Sequence, residues 1–178
     1  MFLFRLQIMN LTRVNGVFLV VFLVVLSQSA DAQIRAFSSV SNEIKWEKLD
    51  SALAKAKVQN KLVLVAFHAK GCPYCRKMKE QIYSDTEMKR LIQKYFIPVE
   101  IDLENPVDFI YKGEVMNSSA LATILDVSGT PTLSFLNDEG DLIAFQPGYL
   151  NVALFSKLIQ YVGTGKYATV SFAEFSNE

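Results

Sequence analysis

The 178-residue chain reads as an α/β protein in which a central mixed β-sheet is flanked by helices. Three observations predict it. Residues 62–67, LVLVAF, are apolar on both faces, as a strand inside a covered sheet is. Further strand-like runs at 96–102 and 132–136 are separated by segments of helical period. A turn at Asn137-Asp138-Glu139-Gly140 then returns the chain along 142–145, so part of the sheet is antiparallel. Strands with intervening helices, closed by a hairpin and a last helix, bury both faces of such a sheet.

Taken in order, the chain opens with an export signature. Residues 14–26 read VNGVFLVVFLVVL without a charge, Arg5 and Arg13 precede them, and the small residues Ala30 and Ala32 follow. That pattern makes residues 1–32 a secretory signal cleaved after Ala32 and leaves 33–178 as one domain. Met9 is an alternative start, because Met9 to Arg13 already supplies a basic leader. The other reading, an uncleaved membrane anchor, needs ~18 apolar residues, and this stretch is shorter. Setting aside Arg5, Arg13 and Asp31 from 18 basic and 18 acidic residues leaves a net charge near −1. A chain so balanced is a poor partner for nucleic acid or an anionic membrane surface.

A helix is expected from Ser41-Asn42-Glu43, with Trp46, Leu49, Leu53 and Ala56 on one stripe and an end near 59–61. The first strand follows at 62–67. Beyond Cys75 come good helix formers, ending near Ile82-Tyr83. Ser84-Asp85 caps another helix, with Met88, Leu91, Ile92 and Tyr95 on its apolar side. In the strand at 96–102, Pro98 calls for an edge position or a start at Val99. Residues 107–117 carry no clear pattern. Ser118-Ser119 opens a short helix through Leu121, Ile124 and Leu125. After the hairpin, Asn151 caps a long helix bearing Leu154, Phe155, Leu158 and Tyr161, which stops at Gly163. Tyr167, Phe172 and Phe175 have the spacing of a tail that packs back onto the body.

The chemistry concentrates at Cys72-Pro73-Tyr74-Cys75, which holds both cysteines of the chain where a strand hands over to a helix. A thiolate at Cys72 would face the unpaired N–H groups of the first helical turn, which stabilise negative charge and make it the attacking sulfur. Cys75, one turn on, is placed to resolve a mixed disulfide. Two plainer uses fit less well. So short a loop removes little chain entropy when closed, which makes a weak structural staple. A structural zinc site needs four ligands, and His68 is the only histidine, so no metal is expected.

Three pieces in order resemble thioredoxin-fold proteins over nearly all of the chain after the signal. They are the strand leading into Cys72-x-x-Cys75, the stretch Val99-Glu100-Ile101-Asp102 with Asn105-Pro106 just after, and Val127-Ser128-Gly129-Thr130-Pro131-Thr132. The resemblance implies a thioredoxin-like fold, a cis Thr130–Pro131 peptide opposite the cysteines, and substrate contacts from Thr130, Pro131, Pro73 and Tyr74. Thr130 would pair its backbone with an extended substrate. The chain also departs from the family. Thioredoxin carries WCGPC, whereas Gly71 precedes Cys72 here and Pro73-Tyr74 is the pair found in glutaredoxins. Ala66 stands where thioredoxin keeps a buried aspartate, and His68 where it keeps a tryptophan. Glu100, on the neighbouring strand, either acts in the aspartate's place through a water or is simply solvated. His68 as a cation would favour the Cys72 thiolate and as a neutral ring would do little. Lys70, with Arg76 and Lys77, adds positive potential that is largely screened.

The expectation is an exported thiol–disulfide oxidoreductase of the periplasm that works without a cofactor. It would reduce disulfides of other proteins, draw electrons from a membrane thiol donor, and act as a monomer. Two rival expectations are a glutathione-linked, glutaredoxin-like enzyme and a chaperone-like module that holds chains in the groove beside Pro131.

Overall fold

The computed structural model describes residues 43–177; the expected signal, and the helix start expected at Ser41, lie outside them. The elements are α1 (Leu49–Gln59), β1 (Leu62–His68), α2 (Pro73–Gln81), α3 (Thr86–Tyr95), β2 (Phe96–Asp102), β3 (Asp108–Tyr111), β4 (Glu114–Asn117), α4 (Ser118–Ile124), β5 (Thr132–Leu136), β6 (Leu142–Pro147), α5 (Val152–Gly163) and α6 (Phe172–Asn177), with a 3₁₀ turn at Lys166–Ala168. The main sheet runs β2-β1-β5-β6, and β3-β4 forms a separate hairpin. Strand β1 is parallel to β2 and antiparallel to β5, which in turn is antiparallel to β6. The sheet is therefore mixed.

Alternation along β1 explains why its sequence is apolar throughout. Val63, Val65 and Phe67 enter a core with Leu49, Ala52, Ala56, Leu121 and Leu125, on the face covered by α1, α4 and the β3-β4 hairpin. Leu64 and Ala66 point the other way, into a core with Met78, Ile82, Ile92, Phe135, Phe155 and Ile159 from α2, α3, β5 and α5. Helix starts follow their side chains. Asp85, Asn117 and Asn151 each accept a hydrogen bond from the backbone N–H three residues on, at 2.9, 3.0 and 2.9 Å. Asn117, not Ser118, is thus the cap of α4.

Two expectations need correction. Among the described residues the first helix begins at Leu49, and residues 43–48, expected to be helical, are not. Trp46 fits the helical spacing but packs edge-on against Tyr83 at 5.1 Å, in the core opposite to the one that holds Leu49 and Ala56. The chain is extended there, and Glu47 N–H donates to Pro98 O at 2.9 Å. Because a strand residue's carbonyl and N–H face the same way, the missing N–H of Pro98 falls on the outer side of edge strand β2. The second correction is the unassigned stretch 107–117, which holds β3 and β4. Its tight turn places Lys112 at φ 52° and Gly113 at φ 85°, and lysine is not a usual signal for that left-handed position. In the tail, Phe172 and Phe175 flank Tyr161 at 5.3 and 5.4 Å, whereas Tyr167 stays exposed.

Gly163 marks a close approach of α5 to α3. A methyl group on it would stand 2.4 Å from Tyr95 Cγ and 2.6 Å from Tyr95 Cβ, so the two helices would have to part. Overpacking of that kind costs about 1–3 kcal/mol, more than the ~1 kcal/mol that alanine contributes over glycine in a helix. Gly163→Ala is expected to lower stability in urea unfolding at neutral pH; an unchanged or higher midpoint would contradict this packing.

Candidate active site

The C-terminal end of β1 delivers the chain to residues 69–71, and Gly71 turns it at φ 81°. A side chain is strained in that conformation, so glycine suits this position. Cys72 is then the N-cap of α2 and Pro73 its first helical residue. Cys72 and Cys75 are joined in a disulfide, and the Cys75 backbone N–H donates to Cys72 Sγ at 3.0 Å. That N–H, and the helix end behind it, would meet a Cys72 thiolate as well. Met78, fully buried, and Ile82 anchor the helix to the sheet, so the sulfurs are held by core packing.

A cavity of about 290 Å³ opens beside the disulfide. Cys72, Cys75, Arg76, Lys79 and Tyr83 line it from α2 and just beyond, Ala66 and His68 from β1, Glu100 from β2, and Pro131 from the loop before β5. Ala66 and Glu100 are direct neighbours in the β1-β2 register. The small side chain at 66 leaves the carboxylate of Glu100 room on the same face. Glu100 Oε1 lies 3.6 Å from His68 Nε2. Burial, and then the charge of Glu100, push the Tyr83 phenol far above its ordinary value. The Asn105 side-chain amide, donating at 2.7 Å, holds Asp102 below the usual carboxylate range, helped by Glu104 N–H and by the nearby His68.

The Thr130–Pro131 peptide is cis. Pro131 O accepts from Gly148 N–H at 2.8 Å, which ties the loop after β6 to the proline. Sequence reading proposed Cys72, Cys75, Pro131, His68 and Glu100, and the structure gathers them at one cavity. Thr130 is half-buried beside Pro131, and Pro73 and Tyr74 stand exposed at the start of α2. Lys70 is exposed in the approach loop and does not line the cavity. Two residues were missed. Tyr83 carries no sequence sign beyond its place at a helix end. Tyr149 lies against Tyr74, its ring centroid 6.1 Å away, beneath the Lys77 ammonium at 4.5 Å, and donates its hydroxyl to Gln81 Oε1 at 2.7 Å.

A family model described as a thioredoxin-like domain matches residues 49–163. The chain belongs to this family. Among thioredoxin-like relatives, it is 28% identical over 109 residues to Disulfide bond reductase DsbH of Chlamydia pneumoniae, covering 59% of this chain and 65% of that protein. It is 26% identical over 106 residues to Thiol:disulfide interchange protein DsbD of Vibrio cholerae, covering 59% of this chain and 16% of that protein. The chain thus spans less than two thirds of either curated relative. A thioredoxin from Thermus thermophilus superposes with a TM-score of 0.56 at 28% identity, covering 67% of this chain and 87% of that one.

The raised phenol has a stability consequence. A group whose folded value lies above its unfolded value contributes stability that is complete below the unfolded value, here 10.0, and is lost as pH rises beyond it. Wild-type protein is expected to lose stability between pH 9 and pH 11 faster than Tyr83→Phe, when both are followed by denaturant unfolding. Parallel losses in the two proteins would remove Tyr83 from the account.

Proposed function

We propose that this protein is an exported thiol–disulfide oxidoreductase that reduces disulfides of other proteins. The observation that carries the reading is the Cys72–Cys75 pair, with Cys72 Sγ at the N-terminus of α2 and accepting a backbone N–H. The names of the curated relatives, a disulfide bond reductase and a thiol:disulfide interchange protein, support both the activity and its direction.

In the reduced protein, Cys72 as thiolate attacks one sulfur of a substrate disulfide. The substrate S–S bond breaks, a Cys72–substrate bond forms, and the departing sulfur takes up a proton. Cys75 then loses its proton and attacks Cys72 Sγ. The mixed disulfide breaks, the second substrate thiol leaves, and Cys72–Cys75 is oxidised by two electrons. Glu100, whose carboxylate lines the same cavity as Cys75, accepts the Cys75 proton through water. Thr130 and Pro131 hold the extended substrate against Cys72, with Pro73 and Tyr74 beneath it. An external dithiol, carried by a membrane protein, returns the electrons. The basic leader, the apolar run at 14–26 and the small residues Ala30 and Ala32 support placement outside the cytoplasm. Among the described residues no helix is long and apolar enough to cross a membrane.

Cys72→Ser is expected to abolish reduction of a protein disulfide, and Cys75→Ser to accumulate a covalent substrate adduct visible by mass spectrometry. Full reduction by Cys72→Ser would sink the mechanism. Glu100→Gln is expected to slow release of that adduct tenfold or more and to shift the pH dependence of this step, leaving formation of the adduct nearly unchanged. Equal slowing of both steps would assign Glu100 a structural part. For the equilibrium potential of the pair, titrated against glutathione buffers, a value near thioredoxin's, about −270 mV, would mark a reductase, and one near −120 mV would reverse the direction.

A further inference from the structure

Charge and aromatic surface around the disulfide are uneven. Helix α2 carries Arg76, Lys77 and Lys79 against the single acid Glu80, and Lys70 precedes it, in a chain with 18 basic and 18 acidic residues. The acids at this end of the sheet have neighbours: Glu100 lies against His68, and Asp102 accepts from Asn105 and from Glu104 N–H. Tyr74, between the cysteines, keeps 58% of its surface in water.

Lys77 and the two tyrosines are also held in place. The Lys77 ammonium sits 4.5 Å above the Tyr149 ring, which leans on Tyr74 and is fixed by its hydroxyl to Gln81. Gly148, one residue earlier, is bonded to Pro131 O at 2.8 Å. A surface therefore runs from Gly148, which is tied to the buried Pro131, over Tyr149 and Tyr74 to Lys77, with Arg76 at the rim of the cavity that holds Cys72 and Cys75. A lysine whose stem is already ordered loses less rotamer freedom when it meets a partner. Arg76 presents a fork that matches a carboxylate.

We propose that Lys77, Arg76 and the Tyr74–Tyr149 pair form a specificity surface that selects disulfides flanked by acidic side chains. This rests on the oxidoreductase reading above and names its substrate class. A carboxylate one or two residues from the attacked sulfur reaches Lys77 or Arg76, while the paired tyrosine rings form a flat floor for the adjoining chain. At such contact distances the attraction acts at low ionic strength and fades as added salt shortens the screening length.

The test uses the reduced full-length protein and two peptides, each with one intramolecular disulfide and differing only in glutamates or lysines beside the cysteines. Acid-quenched samples give the rate of peptide reduction, and the readout is the ratio of the two rates within each protein, so a general loss of activity cancels. The wild type is expected to reduce the glutamate peptide about five- to tenfold faster at low salt, with the gap closing at high salt. Lys77→Glu and Arg76→Glu are expected to narrow or invert the ratio, and Lys77→Gln to narrow it less. A wild-type ratio near one, or a ratio unchanged in both charge reversals, overturns the specificity surface while peptide reduction upholds the oxidoreductase. Reduction of neither peptide by the wild type overturns both.

Discussion

Everything at the candidate site hangs from strand β1. It is hydrogen-bonded on both sides, to β2 and β5, and buried on both faces, so its direction and register are fixed from four sides. Its last residue, His68, aims the chain at the start of α2, and Met78 clamps that helix against the sheet from below. Because the anchor is a packed core and not a flexible loop, the position of Cys72 is as well defined as the core itself. The same register places Glu100 beside Ala66 and so brings a carboxylate to the cavity from a different strand.

The helix end contributes the second ingredient. Its N-terminal N–H groups need partners whichever state the cysteines adopt, and Cys72 Sγ is the acceptor to hand. A thiolate in that position is stabilised without any neighbouring base. In the proposed mechanism the surrounding residues act on the proton of Cys75 and on the choice of substrate.

Legibility in the sequence varied with the kind of information each element needs. The strand β1, the hairpin β5-β6, the caps of α3 and α5 and the site at Cys72 and Cys75 are written locally, in apolar runs, turn residues and spacing. The start of α1 was misread because Trp46 obeys the helical period while its ring belongs to the opposite core, and which core a side chain joins is a tertiary fact. The β3-β4 hairpin went unassigned because its strands are four residues long and its turn uses Lys112 where Asn or Asp is the usual sign. At the site, the partners of Glu100 depend on register and those of Tyr149 on how the loop after β6 meets helix α2. No local pattern encodes either.

The two borders of the main sheet differ in kind. Along β2, the extended stretch before α1 takes the Pro98 carbonyl, and the proline ring removes the donor beside it. An incoming strand finds neither a free acceptor nor a donor at that point, so this border does not template sheet growth between molecules. Border β6 is broken instead by the register shift opposite Phe135 and Leu136 and closed by Pro147 at its end. An oxidoreductase that acts on other proteins, as proposed, would meet strand-forming segments, and two blunted rims lower the chance of edge-to-edge pairing with them.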